Sequence, residues 1–119
     1  MDFMKPMWDG LPYPEFISKL PEIDIPIDGV RGWLLQGTNR QLVFLDIEPI
    51  GAIPPHSHGD QWGIVVSGEM NLTVDGVTRL VGPGDWYYIP AGAVHSAEFL
   101  SRFQVLDFFE DHDRYSPKP

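Results

Sequence analysis

Apolar and polar residues alternate along this chain in short runs, and glycine or proline separates almost every run from the next. Alternation with a period of two predicts β-strands, because successive side chains of a strand point to opposite faces. Strands are predicted over residues 31–36, 41–48, 62–66, 70–74, 77–81, 86–89, 94–99 and 103–109. Asp75-Gly76 predicts a tight hairpin turn, and residues 37–40 predict a second hairpin loop. Residues 51–59 contain Pro54 and Pro55 and are predicted to be a loop.

No long segment has the periodicity of an amphipathic helix, although residues 15–20 could form one or two helical turns that Pro21 would end. Many short strands with Gly and Pro turns predict an all-β sandwich or barrel. The chain has 119 residues, which favours a single domain. We expect the barrel to span residues 28–110. Residues 1–27 form an irregular, Pro-rich N-terminal segment that we expect to pack on the barrel or on a partner subunit, where it would form the dimer. Residues 111–119 form a polar tail that we expect to be frayed.

Charge and composition exclude several classes of function. The formal net charge is -9, which disfavours binding to nucleic acid and to anionic membranes. There is no apolar run long enough to span a bilayer and no signal-peptide pattern at Met1, so we expect a cytoplasmic protein. The chain has no cysteine, so any metal site must use nitrogen and oxygen ligands.

Three of the four histidines occur at positions that suit a metal site. His56 and His58 are two residues apart, so they share a face of an extended segment, and Gln61 follows at the start of an apolar run. His95 follows a Gly- and Pro-rich turn much later in the chain. Alternatively, the first two histidines could be surface residues and Gln61 a hydrogen-bonded polar residue of the core.

These residues resemble the two conserved motifs of the cupin superfamily. The first motif, G-x5-H-x-H-x3-4-E-x6-G, corresponds here to Gly51-x4-His56-x-His58-x2-Gln61-x6-Gly68, and the second, G-x5-P-x-G-x2-H, corresponds to Gly84-x5-Pro90-x-Gly92-x2-His95. The resemblance implies a double-stranded β-helix, or jelly-roll barrel. It also implies one divalent transition metal (Zn, Mn, Fe, Ni or Co) on His56, His58, Gln61 and His95. The chain departs from the family pattern at Gln61, where a Glu is usual, and at Phe99, where the second motif ends in Asn.

Gln61 also resembles the metal-site Gln of a narrower group, the small cupins of pectin and alginate degradation that convert 4,5-unsaturated uronates to the linear ketone. That group uses an Asp, a Phe and an Arg in its pocket. Asp107 and Phe109 stand in the same relation here, and Arg114 lies one residue late. As alternatives, Asp107 could be a solvated or hydrogen-bonded acid at a sheet edge, and Arg114 could be a free surface charge.

The ligand set itself bears on the chemistry. Three neutral imidazoles and an amide leave a divalent ion its full charge, so it would be a stronger Lewis acid and would favour an anionic substrate. We therefore expect an isomerase or tautomerase that acts on a small sugar acid, with Asp107 as the residue that moves the proton. The alternatives are a metal-dependent dioxygenase and a non-catalytic module that binds a metal or small ligand. We expect a homodimer.

Overall fold

The computed structural model describes residues 12–49 and 51–119, and within these residues two antiparallel sheets enclose one core. A single helical turn, α1 (Glu15–Ser18), precedes the strands. The strands are β1 (Val30–Gln36), β2 (Gln41–Ile47), β3 (Ala52–His56), β4 (Gln61–Ser67), β5 (Met70–Val74), β6 (Val77–Val81), β7 (Trp86–Ile89), β8 (His95–Phe99) and β9 (Phe103–Phe109). The all-β, jelly-roll fold predicted from the sequence is confirmed.

The larger sheet has the order β1-β2-β9-β4-β7 and the smaller sheet the order β3-β8-β5-β6. Alternate residues of the strands are buried between the sheets, including Phe103, Val105, Val43 and Ile89. On β4 the buried residues are Gln61, Gly63 and Val65, which the alternation of side chains places on one face of the strand. Asp75 and Gly76 both have positive φ, which is the backbone that a tight β5–β6 hairpin requires.

The segment predicted to be a loop over residues 51–59 contains a strand. β3 pairs with β8 in the register Ala52↔Glu98 and His56↔His95, with an irregularity between Ile53 and His56. The two prolines are compatible with this strand because it lies at the edge of its sheet, where a missing N–H leaves no ladder bond unmade.

The C-terminal tail is not frayed, contrary to the expectation from its polarity. The Asp24 amide donates to the Ser116 carbonyl at 2.7 Å, and the Lys118 amide donates to the Glu22 carbonyl at 2.8 Å. The side chain of Gln41 is 2% exposed and binds both backbone groups of Tyr115, at 2.8 and 3.0 Å. The tail therefore forms part of the wall of the barrel.

The described part of the N-terminal segment also packs on the barrel. Tyr13 is buried, and its hydroxyl donates to the Leu45 carbonyl at 2.6 Å. Ile17 and Ile23 are buried as well. Residues 1–11 lie outside the described residues, so the expectation that the whole segment mediates dimerisation stays a prediction. Among the described residues, no helix is long and apolar enough to cross a membrane.

Candidate metal and substrate site

Three histidines converge at one end of the barrel. His56 ends β3 and is paired with His95 at the start of β8, while His58 lies in the short loop that leads into β4. Their ring centroids are 4.2 Å apart for His56 and His95, 4.7 Å for His58 and His95, and 5.4 Å for His56 and His58. One ring nitrogen from each lies within 4.8 Å of the others, so the three side chains can bind one metal ion.

Backbone carbonyls orient all three rings. The Nδ1 atoms donate to Pro54 at 3.0 Å from His56, to Gly59 at 2.9 Å from His58, and to Ala93 at 3.0 Å from His95. Because a carbonyl oxygen can only accept, each Nδ1 carries the proton and each Nε2 keeps a free lone pair. Nε2 of His95 is buried and has no hydrogen-bond partner among the described residues. A buried imidazole nitrogen that has no hydrogen-bond partner and lies beside two other histidines is suited to bind a metal ion.

Two of the three histidines have a lowered pKa, which favours their neutral form. Burial is the main cause that lowers the pKa of His58 and of His95, and the nearby charge of Arg114 lowers both further. Neutral imidazole is the form that binds a metal. The loop of His58 is fixed by two backbone bonds: the Gly92 amide donates to the His58 carbonyl, and the Gly59 amide donates to an Asp111 carboxylate oxygen, both at 2.9 Å.

The cluster opens into a cavity of about 740 Å³ between the two sheets. This volume is typical of a site for a small organic ligand. All the residues that the sequence singled out line it, namely His56, His58, Gln61, His95, Asp107, Phe109 and Arg114.

Gln61 and Asp107 lie side by side on neighbouring strands of the larger sheet. β4 and β9 pair in the register Gln61↔Phe109 and Gly63↔Asp107, which directs Gln61 and Asp107 to the same face. Both side chains are buried, 7% and 5% exposed. Burial raises the pKa of Asp107 to about 6, although hydrogen bonds from Tyr87 and Gln61 and the charge of Arg114 act in the opposite direction.

Tyr87 is a pocket residue that the sequence did not single out from its neighbours. Its hydroxyl donates to Asp107 Oδ1 at 2.8 Å, and burial raises its pKa well above the usual value. Tyr87 fills the space opposite Gly63, where any Cβ would overlap its ring. The missing side chain of Gly63 therefore makes room for the hydrogen-bond partner of Asp107.

Arg114 lies at the pocket rather than in free solution. Its guanidinium is 4.7 Å from the Tyr115 ring centroid and 5.9 Å from that of Phe109. Its Nε is buried and has no partner among the described residues. Phe109 in turn packs edge-on against His58, with 5.4 Å between the ring centroids. The pocket therefore combines a histidine cluster, a buried carboxyl group and a guanidinium group.

Solved structures similar to this chain share its fold. KdgF from Halomonas sp. is 23% identical with a TM-score of 0.66, over 76% of this chain and 87% of that chain. An RmlC-like cupin from Shewanella frigidimarina is 26% identical with a TM-score of 0.67, over 75% and 82%. A single-residue variant of oxalate decarboxylase from B. subtilis is 24% identical with a TM-score of 0.66, over 82% of this chain and 29% of that chain.

Two sequence comparisons give different results. No curated protein sequence matches this chain. A family model for the cupin domain matches residues 43–109, which are more than half of the chain and include all the histidines of the cluster. The protein is therefore a member of the cupin domain family.

Proposed function

We propose that this cupin is a metal-dependent isomerase or tautomerase that acts on a small sugar acid such as an unsaturated uronate. The observation that carries the proposal is the position of Asp107, a buried carboxyl group in the same cavity as the three-histidine cluster. Burying a carboxylate costs free energy, so its presence in the core calls for an explanation. A role in proton transfer within a substrate pocket is such an explanation.

The metal would be held by His56, His58 and His95, with Gln61 as the fourth ligand. The free Nε2 lone pairs support the three histidines. Gln61 is buried and lines the same cavity, so its carbonyl oxygen would complete the ligand set. A divalent ion bound there would supply Lewis acidity toward a carboxylate, carbonyl or ring oxygen.

Arg114 and Phe109 would bind and orient the substrate. The guanidinium of Arg114 offers donors that a substrate carboxylate can accept, and the two aromatic rings beneath it keep it in place. The chain carries a formal net charge of -9, so a local cation is needed to attract an anionic substrate. The ring of Phe109 contacts both groups, with its centroid 5.9 Å from the Arg114 guanidinium and 5.4 Å from the His58 ring centroid.

Asp107 would move the proton. An isomerisation of this kind shifts one proton from a substrate oxygen to a substrate carbon and requires no co-reactant. Asp107 can accept a proton and return it, while the hydrogen bond from the Tyr87 hydroxyl orients its carboxyl group.

The test uses the full chain loaded with each candidate divalent metal and supplied with a 4,5-unsaturated uronate. We expect loss of the conjugated double-bond absorbance at the same rate with and without oxygen. Asp107→Asn should abolish turnover and retain the metal, whereas the exposed Asp113→Asn should leave turnover unchanged. Turnover that requires oxygen, full activity of Asp107→Asn, or no turnover with any metal would each contradict the proposal.

A further inference from the structure

Tyr115 is the one tyrosine whose hydroxyl group has no hydrogen-bond partner among the described residues. The chain has four tyrosines, and all of them lie in the part that the structure describes. The hydroxyl groups of the other three, Tyr13, Tyr87 and Tyr88, each donate to an oxygen of the fold, at 2.6, 2.8 and 2.7 Å. A tyrosine hydroxyl in a protein interior usually has such a partner. The partner of the Tyr115 hydroxyl is therefore to be sought in a ligand.

Tyr115 belongs to the cavity of the candidate site. It is partly buried against the core and lines the cavity together with Asp107 and Arg114. Burial raises the pKa of Tyr115, the charge of Arg114 lowers it and that of Asp107 raises it, so the phenol lies within electrostatic range of both groups. Nε2 of His95 and Nε of Arg114 are enclosed without a partner, whereas the Tyr115 hydroxyl stays accessible. A ligand in the cavity can therefore reach it.

The ring that carries this hydroxyl is held in place by its neighbours. The Phe109 ring packs edge-on against it, with 5.6 Å between the ring centroids and 78° between the planes. The guanidinium of Arg114 lies 4.7 Å from the centroid of the Tyr115 ring. The side chain of Gln41 binds the backbone amide and the backbone carbonyl of Tyr115, at 3.0 and 2.8 Å. Because the ring and its backbone are fixed, a ligand that bonds to the hydroxyl loses little conformational entropy.

We propose that Tyr115 is a further substrate-binding residue, whose hydroxyl group forms a hydrogen bond with a hydroxyl group of the sugar acid. This inference rests on the proposed function and adds a specificity determinant to it. The phenol O–H can donate one bond and accept another, which matches a hydroxyl group, whereas a carboxylate can only accept. The guanidinium of Arg114 suits the carboxylate. Two consecutive residues therefore recognise the two kinds of group that define a sugar acid.

The hydroxyl of Tyr115 selects hydroxylated acids over plain carboxylic acids. Much of the remaining cavity wall is apolar, including Ile25, Ile53, Ile89 and Phe99. Apolar walls discriminate weakly between ligands of similar shape, so the few polar contacts decide which acid is preferred. An acid without hydroxyl groups would cover the Tyr115 hydroxyl and leave it unpaired, which costs free energy. An acid that carries a hydroxyl group at this place restores the bond.

The experiment measures the affinity of the full chain for two unreactive acids by NMR titration, with the same metal content throughout. One acid is D-galacturonate, a saturated uronate, and the other is tetrahydropyran-2-carboxylate, which has the same ring and carboxylate without the hydroxyl groups. Tyr115→Phe removes the hydroxyl and keeps the ring. We expect it to weaken the binding of galacturonate about 3–10-fold, which is the effect of one neutral hydrogen bond, and not to weaken the binding of tetrahydropyran-2-carboxylate.

Tyr88→Phe is the matched control, because the Tyr88 hydroxyl binds Asp60 and does not line the cavity. It should bind both acids as the wild type does. If Tyr115→Phe binds galacturonate as tightly as the wild type, the hydroxyl is only solvated, and this inference fails while the proposed function stands. An equal loss for both acids would also overturn the inference, because the hydroxyl would then serve the carboxylate or the ring. A wild-type chain that does not bind galacturonate would overturn the inference and count against the sugar-acid function.

Discussion

Replacing Gly63 with alanine tests the arrangement that holds Asp107 in the pocket. A Cβ at this position would overlap Tyr87 Cζ and the hydroxyl oxygen and would lie 2.5 Å from Cε1, whereas ordinary contacts begin at 3.4 Å. The Tyr87 ring must therefore move by about 1 Å or more. A shift of this size breaks the 2.8 Å hydrogen bond from the Tyr87 hydroxyl to Asp107.

The expected cost follows from two effects. Forcing an extra methyl group into a packed interior costs about 1–3 kcal/mol. Losing a hydrogen bond to a buried carboxyl group costs about 1.5–3 kcal/mol. Both costs arise from one movement of the Tyr87 ring, so they are not fully additive. We expect a loss of about 2–5 kcal/mol in the free energy of unfolding, and a fall in Tm of about 10 °C or more.

Urea and thermal unfolding followed by circular dichroism provide the assay. Gly82→Ala is the matched control, because the nearest atom to its added Cβ is 3.8 Å away, and it should change stability by less than about 0.5 kcal/mol. In a Tyr87→Leu background, Gly63→Ala should cost much less, because the clashing ring is gone. A Gly63→Ala protein with wild-type stability, or a cost that is unchanged in the Tyr87→Leu background, would show that Gly63 does not make room for the Tyr87 ring.

Two further substitutions test other contacts. Asp111→Ala removes the acceptor of the Gly59 amide beside His58, so metal affinity measured by titration calorimetry should fall about 10–100-fold; unchanged affinity would exclude a positioning role for Asp111. Arg102→Ala leaves the buried carboxylate of Asp46 without its two strongest bonds, at 2.9 and 2.7 Å, and should cost about 1.5–3 kcal/mol in urea unfolding. A cost below about 0.5 kcal/mol would show that the pair behaves as an exposed one.

The pattern of the sequence predicted most of the strands and their buried faces, because alternation alone reports which side chains share a face. Alternation puts Gln61 and Gly63 on one face of their strand, and Asp107 and Phe109 on one face of theirs, and both pairs are buried. It did not predict β3, because the two prolines in that segment indicate a loop unless the strand is known to lie at a sheet edge.

The alternation of apolar and polar residues does not predict contacts between segments that are distant in the sequence. Alternation separates Tyr87 from Trp86 and Tyr88 but does not say which of them faces inward. That depends on the pairing of β7 with β4. The tail looked frayed because its residues are polar, yet the buried side chain of Gln41 binds the backbone of Tyr115, 74 residues away, and this brings Arg114 to the pocket. A single polar residue at the start of β2 gives no sign of such a partner.

The proposed function depends on one divalent ion bound by the Nε2 atoms of His56, His58 and His95. The most direct measurement is calorimetric titration of Zn²⁺ or Ni²⁺ into the full chain stripped with a chelator, with X-ray absorption of the loaded protein. We expect one ion per chain, imidazole nitrogens at about 2.0–2.1 Å from it, and loss of binding in His95→Ala. Stoichiometric binding that survives His95→Ala, or no binding by the wild-type chain, would contradict it.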